Sequence, residues 1–205
     1  MMFITFEGPE GCGKSTHSKL LSDYLEGKGF PVIRTREPGG TDLGQKIRDL
    51  LLARNGPIDQ LAEASLFFAD RAQHVNTVVK PALKQSKVVI CDRYIDSTIA
   101  YQIGGRGLPE DLIRFMNMET TQGAIPDLTF LLDIPPEVGL ERAKNKGAAD
   151  RFEREGMPFH DRVRSKYLEI AASDPQRVKY LAFENLPIEQ VQAKIRRIVD
   201  EKFGN

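Results

Sequence analysis

Several things are scarce or missing in this sequence, and each absence narrows its class. Only two cysteines, Cys12 and Cys91, occur in 205 residues. They lack metal-ligand spacing and are too few for a disulfide framework, so they read as free thiols of a cytoplasmic protein. The three histidines, His17, His74 and His160, are scattered and receive no catalytic role. No apolar run approaches the roughly 18 residues that suggest a membrane span. The N-terminus enters a strand directly, without a basic-then-apolar leader, so no secretory signal is expected. An excess of charge of one sign is absent too. Basic and acidic residues number 29 each, and the net charge of zero disfavours generic nucleic-acid binding. There is no internal repeat, low-complexity tract or linker. At this length, with 40% hydrophobic residues, the expectation is a single domain spanning 1–205 with a core of its own.

What is present is concentrated first at the N-terminus. Phe3-Ile4-Thr5-Phe6 is an apolar, β-branched run. Gly8-Pro9-Glu10-Gly11-Cys12-Gly13-Lys14-Ser15 comes next, and Thr16 to Leu25 reads as a helix. Strand, then G-x-x-x-x-G-K-S, then helix is the context in which a phosphate-binding loop is credible. The glycines let the backbone curl and aim N–H groups inward. The helix N-terminus adds partial positive charge, Lys14 a mobile ammonium, and Ser15 a hydroxyl for Mg²⁺.

Further along, strands alternate with helices. Strands are expected at 31–35, 87–91, 127–134 and 178–183. Helices are expected at 43–53, 60–85 (bent before Pro81), 97–103, 109–122, 136–146, 158–172 and 188–203. This pattern predicts an α/β fold of the P-loop NTPase type, a doubly wound parallel five-stranded sheet with helices on both faces. Ligands then gather at the carboxyl ends of the strands. The turn-rich stretch within 141–157 is expected to form a short lid.

Four clusters accompany the loop. Asp92-Arg93-Tyr94 ends the apolar strand 87–91, with Asp92 placed for Mg²⁺ and Arg93 for a bidentate clamp on a second phosphate. Phe67 and Arg71 are four apart on a helix, so they share a face suited to stacking on a base and donating to its edge. Taken alone they read as a core Phe and a surface Arg. Thr98, Tyr101 and Gln102 share a polar face that suits a sugar or base, or simply solvent. Cations outnumber acids across 141–166, and a loop around Gly147 could deliver Arg151 to a transferring phosphoryl group.

With those residues in hand, the chain resembles thymidylate kinases along nearly its whole length. The resemblance rests on Phe6-Glu7-Gly8, Arg36-Glu37-Pro38-Gly39-Gly40-Thr41, Phe67 with Arg71, Asp92-Arg93-Tyr94 and Ala100-Tyr101-Gln102. It implies Mg²⁺-ATP as donor, dTMP as acceptor and a homodimer. By the same resemblance Glu10 reaches the deoxyribose 3′-hydroxyl, and Arg48 and Arg93 lie near the acceptor phosphate. Phe67 stacks on thymine with Pro38 beside it, and Arg71 donates to a base carbonyl. Tyr101 crowds the 2′ position, with Thr98 and Gln102 as polar neighbours. Gly11 stands where some members carry a loop arginine, which assigns the catalytic arginine to the lid, in Asp150-Arg151-Phe152-Glu153. Lys144 and Lys146 stand where bacterial lids often hold arginines. The alternatives are a kinase for another monophosphate, which would want other donors at Phe67, Arg71 and Tyr101, and a nucleotide-binding regulator, which would not need Arg93 and a basic lid.

Overall fold

The structure, a computed structural model, describes residues 2–53, 56–145, 149–183 and 186–204. Lys146 and Gly147 of the expected lid lie outside the described residues. Five strands, β1 (Met2–Glu7), β2 (Val32–Arg36), β3 (Val88–Asp92), β4 (Leu128–Asp133) and β5 (Val178–Ala182), form one sheet in the order β2-β3-β1-β4-β5. Every pairing among them is parallel, and β1 sits centrally, with Ile4 opposite both Ile90 and Leu128.

Alternate residues of the central strands serve opposite faces, which is why these strands read as continuous apolar runs. Ile4, Phe6, Ile90, Phe130 and Leu132 meet α1 (Lys14–Gly27) and α9 (Ile188–Phe203) through Leu21, Leu25, Val191, Ile195 and Val199. Each such burial contributes about 1.5–3 kcal/mol. Phe3, Val89 and Cys91 face the other way, onto Val75, Val79 and Tyr94. Leu131 and Val178 continue that face against α8 (Met157–Ser173). The same face of β1 also buries two polar side chains, Thr5 and Glu7. Glu7 lies beneath the candidate active site.

The remaining helices are α2 (Asp42–Leu52), α3 (Gln60–His74), α4 (Lys80–Lys84), α5 (Ile95–Thr98), α6 (Glu110–Thr121) and α7 (Pro136–Lys144). The helix expected over 60–85 is interrupted: a π-helical turn at Val75–Val79 joins α3 to α4. Pro81 has no N–H to donate backward, and a wider turn just before it absorbs that mismatch without ending the helix. A second π-helical run, Ile99–Gly105, continues α5. The expected helix at 97–103 therefore starts earlier and widens where Tyr101 and Gln102 project. In α2 the apolar residues divide between core and surface: Ile47 and Leu51 are buried, while Leu43 and Leu50 are exposed.

Candidate active site

The loop after β1 owes its shape to glycine. Gly8, Gly11 and Gly13 have φ of 139°, 66° and 92°, a region that other residues enter at a cost. Space adds a second constraint. A Cβ on Gly11 would lie 2.0 Å from the Gly139 carbonyl oxygen, and one on Gly139 would lie 2.2 Å from that of Glu10. The backbone of α7 is thus pressed against the loop. Lys14 Nζ donates to the Gly8 and Pro9 carbonyls at 3.1 and 2.8 Å. The ammonium therefore lies within the curl of the loop, where phosphate oxygens can exchange for those carbonyls. Cys12 offers a ligand its backbone only. Its side chain is fully buried, and burial pushes its thiol pKa up.

Two adjoining pockets open at the carboxyl ends of β1 and β3. The first is polar and is lined by Glu10, Gly11, Gly13, Lys14, Ser15, Thr16, Asp92 and Arg93. Within it Ser15 Oγ donates to Asp92 Oδ2 at 2.5 Å. These hard oxygens fit Mg²⁺. Among the described residues no cluster of three His, Cys, Asp or Glu side chains could hold a metal alone. An ion bound here would draw its other ligands from phosphate and water, the usual habit of Mg²⁺ at nucleotides.

The second pocket is lined by Glu10, Pro38, Arg48, Phe67, Arg71, Arg93, Thr98, Tyr101 and Gln102. All the residues expected for the acceptor thus converge in one cavity, although they come from five separate stretches of chain. Arg71 is not the surface residue that its helix position alone suggests. It is buried at 2% exposure, paired to Glu37 at 2.8 Å and stacked over Tyr94. Burial works against its charge, and Glu37 outweighs that and raises its pKa. Thr98, Tyr101 and Gln102 are likewise buried, so the solvent-facing reading of that helix face is wrong. Phe67 is half-buried and its ring lies 6.0 Å from that of Phe152, which shares the pocket wall.

The two pockets meet at Arg93. Its φ of 69° places it in the left-handed region, and its N–H donates to Phe6 O at 2.9 Å. The guanidinium donates to Glu10 at 2.8 Å, to Tyr101 Oη at 3.1 Å, and to Gly8 O, Ser97 Oγ and Tyr167 Oη at 3.2 Å. Tyr101 Oη donates to the same Glu10 oxygen at 2.7 Å. Burial favours the protonated form of Glu10, yet Arg93 and then Lys14 hold its pKa down at about 2. Glu7, beneath them, accepts from Tyr94 N, Ser97 Oγ and Tyr167 Oη. Burial, aided by Asp96, lifts its pKa to about 7. Arg48 is pushed the other way, downward, by burial and by the neighbouring Arg36 and Arg93 guanidinia. Cations crowded closely enough to disfavour one another make a place that an anion relieves.

Arg151 stands apart from the phosphate pocket, contrary to the sequence expectation. Its guanidinium donates to Glu63 at 2.6 Å and to Leu51 O at 3.0 Å, and it stacks on Phe152. Glu63 is 1% exposed and also binds Arg106. A buried carboxylate needs compensating charge, and two arginines supply it. Neighbours of Arg151 reach the pockets instead: Asp150 and Phe152 line the second, Glu153 the first. Sequence reasoning does not find Asp150, Phe152 or Glu37. Phe152 had one available signal, an apolar residue inside a charged stretch. Glu37 lies within a motif already noted, but nothing local marks it as the partner of Arg71.

Comparison with known proteins agrees with this geometry. A sequence profile described as thymidylate kinase matches residues 6–195. The thymidylate kinase of a Synechococcus species (strain JA-2-3B'a(2-13)) is 48% identical over 201 residues, covering 98% of this chain and 95% of that protein. That of Pseudomonas savastanoi pv. phaseolicola is 47% identical, with the same coverage of both chains. Among solved structures, the thymidylate kinase of Ehrlichia chaffeensis superposes with a TM-score of 0.81 at 36% identity, over 97% of this chain and 98% of the other.

Proposed function

The chain belongs to the thymidylate kinase family and transfers the γ-phosphoryl group of ATP to dTMP, giving ADP and dTDP; from that premise we propose how its residues divide the work. The observation that carries the assignment is the shared wall of the two pockets, where Arg93 and Glu10 face both.

The loop N–H groups and Lys14 hold the donor phosphates. Ser15 and Asp92 would hold Mg²⁺, which would neutralise charge on those phosphates. Phe67 and Pro38 sandwich the base, Arg71 donates to it, and Thr98 and Gln102 complete its polar edge. Tyr101 fills the space at the sugar 2′ position, and Glu10 accepts from the 3′-hydroxyl. Arg48 and Arg93 receive the acceptor phosphate. Little covalent chemistry falls to the protein in such a transfer. Its work is to align two phosphates, balance their charge with fixed cations and exclude water. Glu10 fixes the Arg93 fork before substrate arrives, so little reorganisation remains for the transfer step.

Arg151 is assigned to anchoring the 149–155 segment over the base through Glu63, with Phe152 as the wall it holds. Among the described residues no helix is long and apolar enough to cross a membrane. The proposed working location is the cytoplasm, where kinases of this family typically act. The assembly is a homodimer, joined through the apolar face of α6 and its neighbours.

Steady-state kinetics test the division. Arg93→Ala is expected to lower kcat/KM for dTMP by roughly 10²-fold or more, with the KM for ATP little changed. Unaltered dTMP kinetics would remove Arg93 from the acceptor site. In the same assay Arg151→Ala is expected to raise the dTMP KM about 10-fold with kcat nearly kept, as lost positioning does. A loss confined to kcat would instead restore Arg151 to the transferring phosphoryl group.

A further inference from the structure

The guanidinium of Arg71 is held on two sides by groups that lie outside the base. Its Nε donates to Glu37 Oε2 at 2.8 Å, and its Nη1 donates to Asn117 Oδ1 at 2.5 Å. Among the described residues Nη2 has no hydrogen-bond partner, while Arg71 lines the second pocket. Two of the three nitrogens are thus committed inward, and the third is the one left to read a ligand.

Asn117 sits on α6 and is 7% exposed; the pocket wall does not include it. Its own orientation is set from behind, because Nδ2 donates to Ile95 O at 3.4 Å, which turns Oδ1 toward Arg71. An amide at this point matters chemically. Arginine offers only donors, so its fork discriminates by what it fails to satisfy. Held in place, Nη2 meets a carbonyl oxygen well and an exocyclic amino group badly. Free to rotate, the fork could swing from an amino group and the penalty would shrink.

We propose that Asn117 is a positioning residue for nucleobase selection: by fixing Nη1 of Arg71 it aims Nη2 at the 4-oxo group of a pyrimidine and against a 4-amino group. The proposal rests on the reading of the second pocket as the nucleobase site. Glu37 fixes the other edge of the same fork and also binds His74 at 2.8 Å. It lines both pockets, however, whereas Asn117 acts on the ligand only through Arg71.

The test compares dTMP with 5-methyl-dCMP, its 4-amino counterpart. Kinetics are measured with dTMP, and calorimetry gives Kd for both monophosphates. Asn117→Ala and Asn117→Leu are examined together, since the leucine keeps bulk between α6 and α3 and cannot accept a hydrogen bond. Each is expected to raise the dTMP KM about 10-fold, the scale of a lost hydrogen bond to a charged group, with kcat and the KM for ATP kept. The preference for dTMP over 5-methyl-dCMP falls by a similar factor. A merely structural role would lower thermal stability and leave that preference intact. An unchanged preference in whichever variant folds overturns the proposal. Arg71→Lys separates the two levels: if it erases the preference while the Asn117 variants keep it, only the positioning role fails. If it too keeps the preference, the nucleobase site itself has been misplaced.

Discussion

At the scale of single residues, the best-marked positions are those whose chemistry is local. Gly8, Gly11 and Gly13 announce themselves by spacing, and each has the positive φ that glycine alone enters freely. Gly139 carries no such signal. It lies in α7, in an ordinary helical segment, and its importance comes from the Glu10 carbonyl that a Cβ would strike at 2.2 Å. That contact spans most of the chain and leaves no trace in either stretch. Gly139→Ala is therefore expected to push the loop aside and lower kcat/KM for ATP by roughly 10²-fold, the penalty of a small misplacement of catalytic groups. Normal ATP kinetics in a folded variant would show that helix and loop can separate cheaply. Asn117 and Glu37 were illegible for the same reason. A buried polar residue is recognised by its partner, and their partner Arg71 is distant in sequence. Cys12 lies in the same motif as the loop glycines, but its side chain is fully buried with the core of the first sheet face, its sulfur 3.5 Å from Lys14 Nζ.

At the scale of elements, periodicity located nearly every strand and helix, and it failed where helices change pitch. Both π-helical stretches, Val75–Val79 and Ile99–Gly105, lie in segments that read as plain helix. A π turn leaves the composition unchanged and shifts only the phase of the residues after it. The second one presents Tyr101 and Gln102 to the pocket. The turns over 151–154 match the charged, turn-rich composition there, while the destination of Arg151 was not legible, because Glu63 belongs to α3. The helices α2, α3 and α6 pack side by side and leave Leu50, Leu61, Leu112, Phe115 and Met118 exposed. We propose that the exposed stripe of α6, Leu112, Phe115 and Met118, makes a protein contact. A second copy of this chain is the proposed partner. Sedimentation velocity is expected to show a dimer for the natural sequence and a monomer for Phe115→Glu. A monomeric natural protein would contradict the assignment.

At the scale of the whole molecule, the sheet order does what the alternation of strands and helices implied. With β1 between β3 and β4, the loop after β1 and the Asp92-Arg93 turn after β3 emerge side by side at one end of the sheet. The proposed donor and acceptor sites therefore share Glu10 and Arg93, which line both pockets, and their meeting is the central claim. Transfer of label from γ-³²P-ATP tests it most directly, with Mg²⁺ present and dTMP, dUMP, dCMP, dAMP and dGMP offered in turn. The account predicts that the label moves to dTMP in preference to the others and appears in dTDP with matching formation of ADP. Label released only as inorganic phosphate, or moved equally well to a purine monophosphate, would contradict it.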